Sequence, residues 1–356
     1  MNKNKFNISN FKRIFLDKDK TKKLVTQELF EQSYNTVKDK LSVEDKQVAK
    51  TISKSLLDDN RLPIVLSPQE KHFLKNNNVN KWCEYLIFRY KFKVYPEEKK
   101  VAEFPIYLLV EPVSSCNLRC VMCFQIDKTF TRKPYMGVMK LDFFKQVIDE
   151  AVAGGTKAIT MASRGEPTLN KDFASMLEYT KDKFFEVKVN TNATKLTEKL
   201  CHSILQSGVT ELVYSIDSED KKLYEEIRVK GKFDRVIDNI KMFNRIKDEH
   251  YPESKIMTTA SGVFFHEDQD SKSYTDFFSK LVDNVAAVNI ENRWNTYANE
   301  THPETDTPCE YLWQRMYIWF DGKSNPCDVD YKSYLEVGNV KEASIKEVWN
   351  SDRYNS

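Results

Sequence analysis

"SSCNLRCVMCFQ", residues 114–125, gathers three of the chain's seven cysteines within eight positions, spaced C-x3-C-x2-C. The run before it, "FPIYLLVEP" (104–112), is short, apolar and bounded by prolines. It predicts a strand that delivers the cysteines at its carboxyl end. Zinc takes four tetrahedral ligands, usually supplied as two separated pairs. Three thiolates at short spacing suit one face of an iron–sulfur cube instead. They leave one iron without a protein ligand, open to a substrate or cofactor through nitrogen and oxygen. A zinc site completed elsewhere, an electron-transfer cluster with a distant fourth cysteine, and three small buried side chains without metal stay open as alternatives.

Downstream of the loop the pattern alternates. Strand-like runs at 157–162, 185–191, 210–217, 254–265 and 285–292 are separated by amphipathic segments such as "LDFFKQVIDEAVAGG" and "FDRVIDNIKMFNRIKDE". With 104–112 that makes six strands separated by helices of ten residues or more, which specifies parallel pairing with right-handed crossovers. The predicted fold is α/β, a partial (β/α)6 TIM-like barrel over 101–295. In such folds chemistry collects at the carboxyl ends of the strands, where the cysteine loop falls.

Residues 1–100 read as a charged, mostly helical region, either a cap on the barrel or a substrate-recruiting module. "SPQEKHFLKNN" opens with a Ser-Pro helix-start signal. "KWCEYLIFRYKFKVY" (81–95) is so dense in aromatics that periodicity does not decide between helix and strand. Residues 296–356 read as a small appended domain. Within it lie a strand, a turn at Asp321-Gly322, a second short strand, and a closing helix with Ser344 as N-cap and Glu347 at the capping-box position.

Composition narrows the classes. Hydrophobic residues at 40% and aromatics at 12% of 356 residues supply a sizeable core. Lys+Arg (55) nearly cancel Asp+Glu (53), so the net charge of +2 gives no case for nucleic-acid or membrane partners. The N-terminal run "MNKNKFNISNFKRIFLDKDK" lacks the apolar core of a signal peptide, and no apolar stretch is long enough to span a bilayer. The expected compartment is cytoplasmic, where clustered cysteines are metal ligands or redox groups more often than disulfides.

Taken together, Cys116, Cys120 and Cys123 in "CNLRCVMC" resemble the cluster loop of the radical S-adenosylmethionine enzymes. The resemblance implies that these thiolates hold a [4Fe-4S] cluster whose fourth iron is chelated by S-adenosylmethionine. One-electron reduction then gives methionine and a 5′-deoxyadenosyl radical that abstracts hydrogen from substrate. Met122 occupies the usually aromatic position near the adenine; a thioether can pack on a ring there. "ASRGEPTLN" (162–170) resembles the family's Gly-Gly-Glu motif, with Arg164 where a glycine is common. Gly165 would allow close backbone approach, and Glu166 would accept bonds from the cofactor's ammonium.

The same resemblance extends along later strands. Asn192 in "VNTNATKL" matches a Thr-Asn-Gly turn and is either a turn residue or a ligand contact. Ser215 and Asp217 in "YSIDS" stand two apart on one side of a strand, toward ribose hydroxyls or substrate. Arg228 matches an arginine that often meets the cofactor's carboxylate. Cys309 and Cys327, in Cys-x12-Gly-x4-Cys, resemble the opening of a SPASM or twitch extension and imply a second iron–sulfur cluster. Two thiols do not fill a cluster alone. Cys201 reads as a small buried residue of a helix. No residue is assigned a catalytic acid, base or nucleophile role. The implied activity is hydrogen abstraction from a peptide or small metabolite, with a flavodoxin- or ferredoxin-like electron donor. A non-catalytic iron–sulfur or zinc protein is the alternative.

Overall fold

The computed structural model of the chain describes residues 24–289, 296–298 and 308–355. The first twenty-three residues, and most of the polar segment expected after 295, lie outside them. The amino-terminal region is helical: α1 (Gln27–Val37), α2 (Val43–Asp58), α3 (Pro68–Asn76) and α4 (Trp82–Glu97). Thr26, Ser42 and Ser67 cap the first three by accepting a backbone N–H. Ser67 and Glu70 form a full capping box, with Pro68 at the first helical position. The undecided run at 81–95 is α4. Trp82, Cys83 and Tyr85 through Tyr90 are all buried. A helix enclosed on every side has no polar face, hence no period to read.

After α4 the chain runs β1 (Tyr107–Val110), β2 (Arg119–Cys120), α5 (Leu141–Gly154), β3 (Ala158–Met161), α6 (Phe173–Tyr179), β4 (Glu186–Thr191), α7 (Glu198–Gln206) and β5 (Glu211–Ser215). It continues through α8 (Lys221–Ile227), β6 (Arg228–Val229), α9 (Phe233–His250), β7 (Met257–Phe264), α10 (Ser271–Phe278) and β8 (Asn284–Asn289). The six expected strands β1, β3, β4, β5, β7 and β8 lie parallel in that order. Leu108, Val110, Ile159, Met161, Val187, Val189 and Leu212 share one core with the helices, including Cys201 of α7. The alternate positions carry polar groups that meet on the other face. Lys188 pairs with Glu211 at 3.3 Å, and the Thr259 hydroxyl donates to Glu211 at 2.8 Å. Polar side chains therefore share this inner face with the apolar Leu109, Tyr317 and Trp319, unlike the apolar layers of a closed barrel.

The carboxyl-terminal segment adds α11 (Tyr311–Gln314), β9 (Arg315–Ile318), β10 (Lys323–Asn325), β11 (Gly338–Asn339) and α12 (Ile345–Trp349). The strand–turn–strand and the Ser344–Glu347 capping box are as read. The sequence did not reveal where they go. β9 pairs parallel with β1, Tyr107 opposite Arg315, so the segment extends the main sheet rather than standing apart. No helix among the described residues is long and apolar enough to cross a membrane.

The amino ends of the strands are closed by α1–α4, whose core reaches Tyr107 and Ala158. Glu186 there accepts from the Tyr85 hydroxyl at 2.7 Å and pairs with Arg89 at 3.4 Å. Arg89 also pairs with Glu70. The carboxyl ends carry the loops of interest.

Candidate functional site

The cysteine loop leaves β1 and is held at two points. Ser114 Oγ accepts from Gly137 N at 2.8 Å. Further along, β2 pairs antiparallel with β6, Cys120 opposite Arg228. Cys120 is buried with Leu118, Met122, Leu223 and Ile227, and Cys116 and Cys123 border the same cluster. Met122 thus packs among aliphatic side chains of α8. The Arg119 guanidinium folds back to donate to the carbonyl of Cys116 at 2.7 Å, which fixes the loop's curvature. Burial pushes the Cys116 thiol up to about 11 and the Cys123 thiol up to about 12. Burial raises Cys120 too, opposed by the Arg228 charge. Thiolates here need positive charge to hold them, as coordinated iron provides.

Among the described residues no three His, Cys, Asp or Glu side chains converge on one ion. Thiolates on one zinc would crowd round a single centre at about 2.3 Å each. Sulfurs bound to different irons of a cube stand farther apart. The donor set, three soft thiols in one loop, fits that cube.

Gly165 and Glu166 follow β3. A Cβ on Gly165 would lie 2.2 Å from the Val113 carbonyl oxygen and 2.4 Å from that of Ser115. Only glycine lets this loop lie against the start of the cysteine loop. Glu166 N donates to Ser115 O at 2.9 Å. Its carboxylate is buried and accepts from the Thr168 and Thr191 hydroxyls, both at 2.6 Å, and from Asn192 N at 2.7 Å. Burial raises its pKa and these hydrogen bonds oppose the rise. Among the described residues it has no cationic partner.

Asn192 joins this carboxylate to the thiols. Its backbone donates to Glu166, and its side chain to Asn117 Oδ1 at 3.1 Å and to Cys116 Sγ at 3.8 Å. Thr194 donates back to its Oδ1, and Ala193 takes φ 59°, the left-handed turn the motif demands. Ser215 ends β5, half-buried. Asp217 is fully buried and bonded on both oxygens: Arg228 Nε at 2.7 Å, Arg228 Nη2 at 3.0 Å and Val263 N at 3.0 Å. It therefore stands behind Arg228 instead of projecting to a ligand.

The structure thus brings together Cys116, Cys120, Cys123, Gly165, Glu166, Asn192 and Arg228. Cys309 and Cys327 belong to the carboxyl-terminal segment. Cys309 is exposed and Cys327 half-buried. Sequence reasoning missed Glu111, Gln125 and Thr191. Glu111 did carry a signal, as a lone acid ending the apolar run "YLLVE".

Two family models match the chain. The Radical SAM superfamily covers residues 110–266, and an iron-sulfur cluster-binding (SPASM) domain covers 309–356. A tungsten-containing aldehyde ferredoxin oxidoreductase cofactor-modifying protein of Pyrococcus furiosus is 33% identical over 112 residues, which is 31% of this chain and 30% of that protein. A cysteine-type anaerobic sulfatase-maturating enzyme of Clostridium novyi is 23% identical over 298 residues, 69% of this chain and 79% of the relative. A GTP 3′,8-cyclase of Desulforamulus reducens matches over only 50% of its own length. Two of these three relatives are therefore spanned by half or less. Streptococcus suis SuiB bound to precursor peptide SuiA superimposes with a TM-score of 0.54 at 16% identity, covering 87% of this chain and 80% of SuiB. Native anSMEcpe with bound AdoMet gives 0.54 at 15% identity, covering 70% and 82%. At those identities the two structures speak for the fold.

The parallel sheet, thiol loop and buried carboxylate together fit an iron–sulfur protein. Residues 110–266 belong to the Radical SAM superfamily, and 309–356 form a SPASM domain. The chain's cofactors are a [4Fe-4S] cluster and S-adenosylmethionine, and the SPASM domain implies additional clusters.

Proposed function

We propose that the enzyme abstracts a hydrogen atom from a peptide, or otherwise a small metabolite, at the open end of the barrel. One observation carries the reading: Glu166 is buried without a cation and is tied through Asn192 to Cys116. A carboxylate so held calls for a cationic ligand next to the thiols, and the ammonium of S-adenosylmethionine is one. When bound, the cluster and S-adenosylmethionine supply one-electron cleavage of the sulfonium and removal of hydrogen from substrate.

The chain's own residues do the rest. Cys116, Cys120 and Cys123 hold the cluster, and Gly165 lets the Glu166 loop close on them. Glu166 and Asn192 would bind the amino-acid end of the cofactor, and Ser215 would bind its sugar. Arg228, oriented by Asp217, sets positive charge beside Cys120 and would bind the cofactor's carboxylate. Met122 supplies an apolar wall. Peptide is favoured over metabolite because the sulfatase-maturating relative spans most of this chain and SuiB is bound to a precursor peptide. Cys309 and Cys327 are proposed ligands of a second cluster that needs further donors. We assign 1–100, whose described elements are α1–α4, to an amino-terminal region, 101–295 to the barrel and 296–356 to the extension. The enzyme works in the cytoplasm with a flavodoxin- or ferredoxin-like donor.

The test is anaerobic reconstitution, reduction with dithionite and assay for 5′-deoxyadenosine. Wild-type protein should form it. Cys120→Ala should lose the iron of this cluster and the product while keeping its far-UV circular dichroism. An iron-loaded, reduced wild type that leaves S-adenosylmethionine intact would sink the reading.

A further inference from the structure

Arg164 stands where the family motif commonly has glycine, and it is the most heavily engaged side chain beside the site. Its guanidinium donates to both oxygens of Glu111, at 2.7 and 2.5 Å, and both residues are buried. The remaining Nη1 donates to the Tyr331 carbonyl at 2.9 Å, and the guanidinium lies 4.4 Å from the Trp319 ring centroid. Glu111 also accepts from Phe320 N at 3.3 Å. One buried pair at the end of β1 therefore grips the carboxyl-terminal segment.

The same residues reach the cysteine loop. The Arg164 carbonyl accepts from Gln125 Nε2 at 2.5 Å, two residues after Cys123. Tyr331 stacks on Phe124 with centroids 4.8 Å apart and planes at 16°. Its hydroxyl donates to Asp127 at 3.0 Å, and Lys332 pairs with Asp127 at 2.9 Å. Cys123 on one side and Gly165-Glu166 on the other are thus fixed to one support. A buried ion pair is costly to desolvate and adds little net stability. It does impose one geometry, because a bidentate fork tolerates no slippage.

We infer that Arg164 is a positioning residue: with Glu111 and Tyr331 it sets the spacing between the cluster loop and the Glu166 loop. The SPASM segment thereby supports the first cofactor site, whatever clusters it carries itself. This rests on the reading that the cysteines and Glu166 hold the cofactors.

The experiment compares reconstituted wild type, Arg164→Lys, and the double variant Glu111→Gln/Arg164→Met, which leaves no unpaired buried charge. Three quantities are read: iron content, S-adenosylmethionine affinity, and the change S-adenosylmethionine makes in the electron paramagnetic resonance spectrum of the reduced cluster. Outer-shell partners typically alter ligand binding roughly 10–100-fold. We expect that loss of affinity in the double variant, a diminished spectral response, unchanged iron, and an intermediate Arg164→Lys. Hydrogen exchange at the Ile126 and Asp127 amides of the unloaded double variant should quicken at least about tenfold. Wild-type affinity and spectral response in the double variant would overturn the inference. So would parallel loss of iron, which would make Arg164 a folding requirement of the cysteine loop. Should the double variant not fold, Arg164→Lys decides alone, and wild-type behaviour in it counts against the role. If wild type itself does not respond to S-adenosylmethionine, the cofactor reading fails first and separately.

Discussion

Glu186 and Glu166 stand at opposite ends of the same sheet. Both are buried, and burial raises the pKa of each. At the amino end Glu186 is answered by a full positive charge: Arg89 pairs with it and with Glu70, and Tyr85 donates to it. At the carboxyl end, among the described residues, Glu166 is answered only by two hydroxyls and backbone amides. The closed end satisfies its charges with its own residues. The open end leaves one carboxylate that a cationic ligand would complete. Where a fold buries a charge without pairing it, the missing partner is a ligand to look for.

The contrast can be broken most severely at the closed end. Arg89→Ala strands the buried Glu186 carboxylate and leaves Glu70 to Lys93 alone, and should cost about 3–5 kcal/mol in denaturant unfolding. At the open end, Gly165→Ala forces the Glu166 loop off the Val113 and Ser115 carbonyls. A displacement of that kind should lower S-adenosylmethionine affinity about 100-fold by equilibrium dialysis, with a smaller change in unfolding. Glu166→Gln keeps the shape and removes the charge. Charge-assisted hydrogen bonds contribute about 1.5–3 kcal/mol, so affinity should fall at least roughly tenfold. Lys93→Ala is the mildest. Its ammonium pairs with Glu70 at 2.6 Å from a side chain 27% exposed, so unfolding should shift by about 1 kcal/mol or less and affinity should not move.

What could be read from the sequence divides along the same line. The open end is built from local signals: three cysteines at fixed spacing, then Gly165-Glu166 and Asn192 at the ends of successive strands. Each motif lies within one βα unit, so one stretch of chain reveals it. Long-range pairings were not legible. Nothing near Arg164 announces Glu111, 53 residues away, or Tyr331, 167 away. Nor does "RMYI" announce that it pairs beside β1. Asp217 looked like a free ligand because its spacing from Ser215 is local, while its bond to Arg228 arises from a turn of the chain. α4 stayed ambiguous because burial on all sides erases the period that marks a helix.

The claim that Glu166 is completed by a cationic cofactor is tested most directly by titrating S-adenosylmethionine into reduced, reconstituted protein while following the cluster's electron paramagnetic resonance spectrum. The account predicts a saturable change in wild type and in Lys93→Ala, and a titration at least roughly tenfold weaker in Glu166→Gln at equal iron content. Equal titrations in wild type and Glu166→Gln would contradict it.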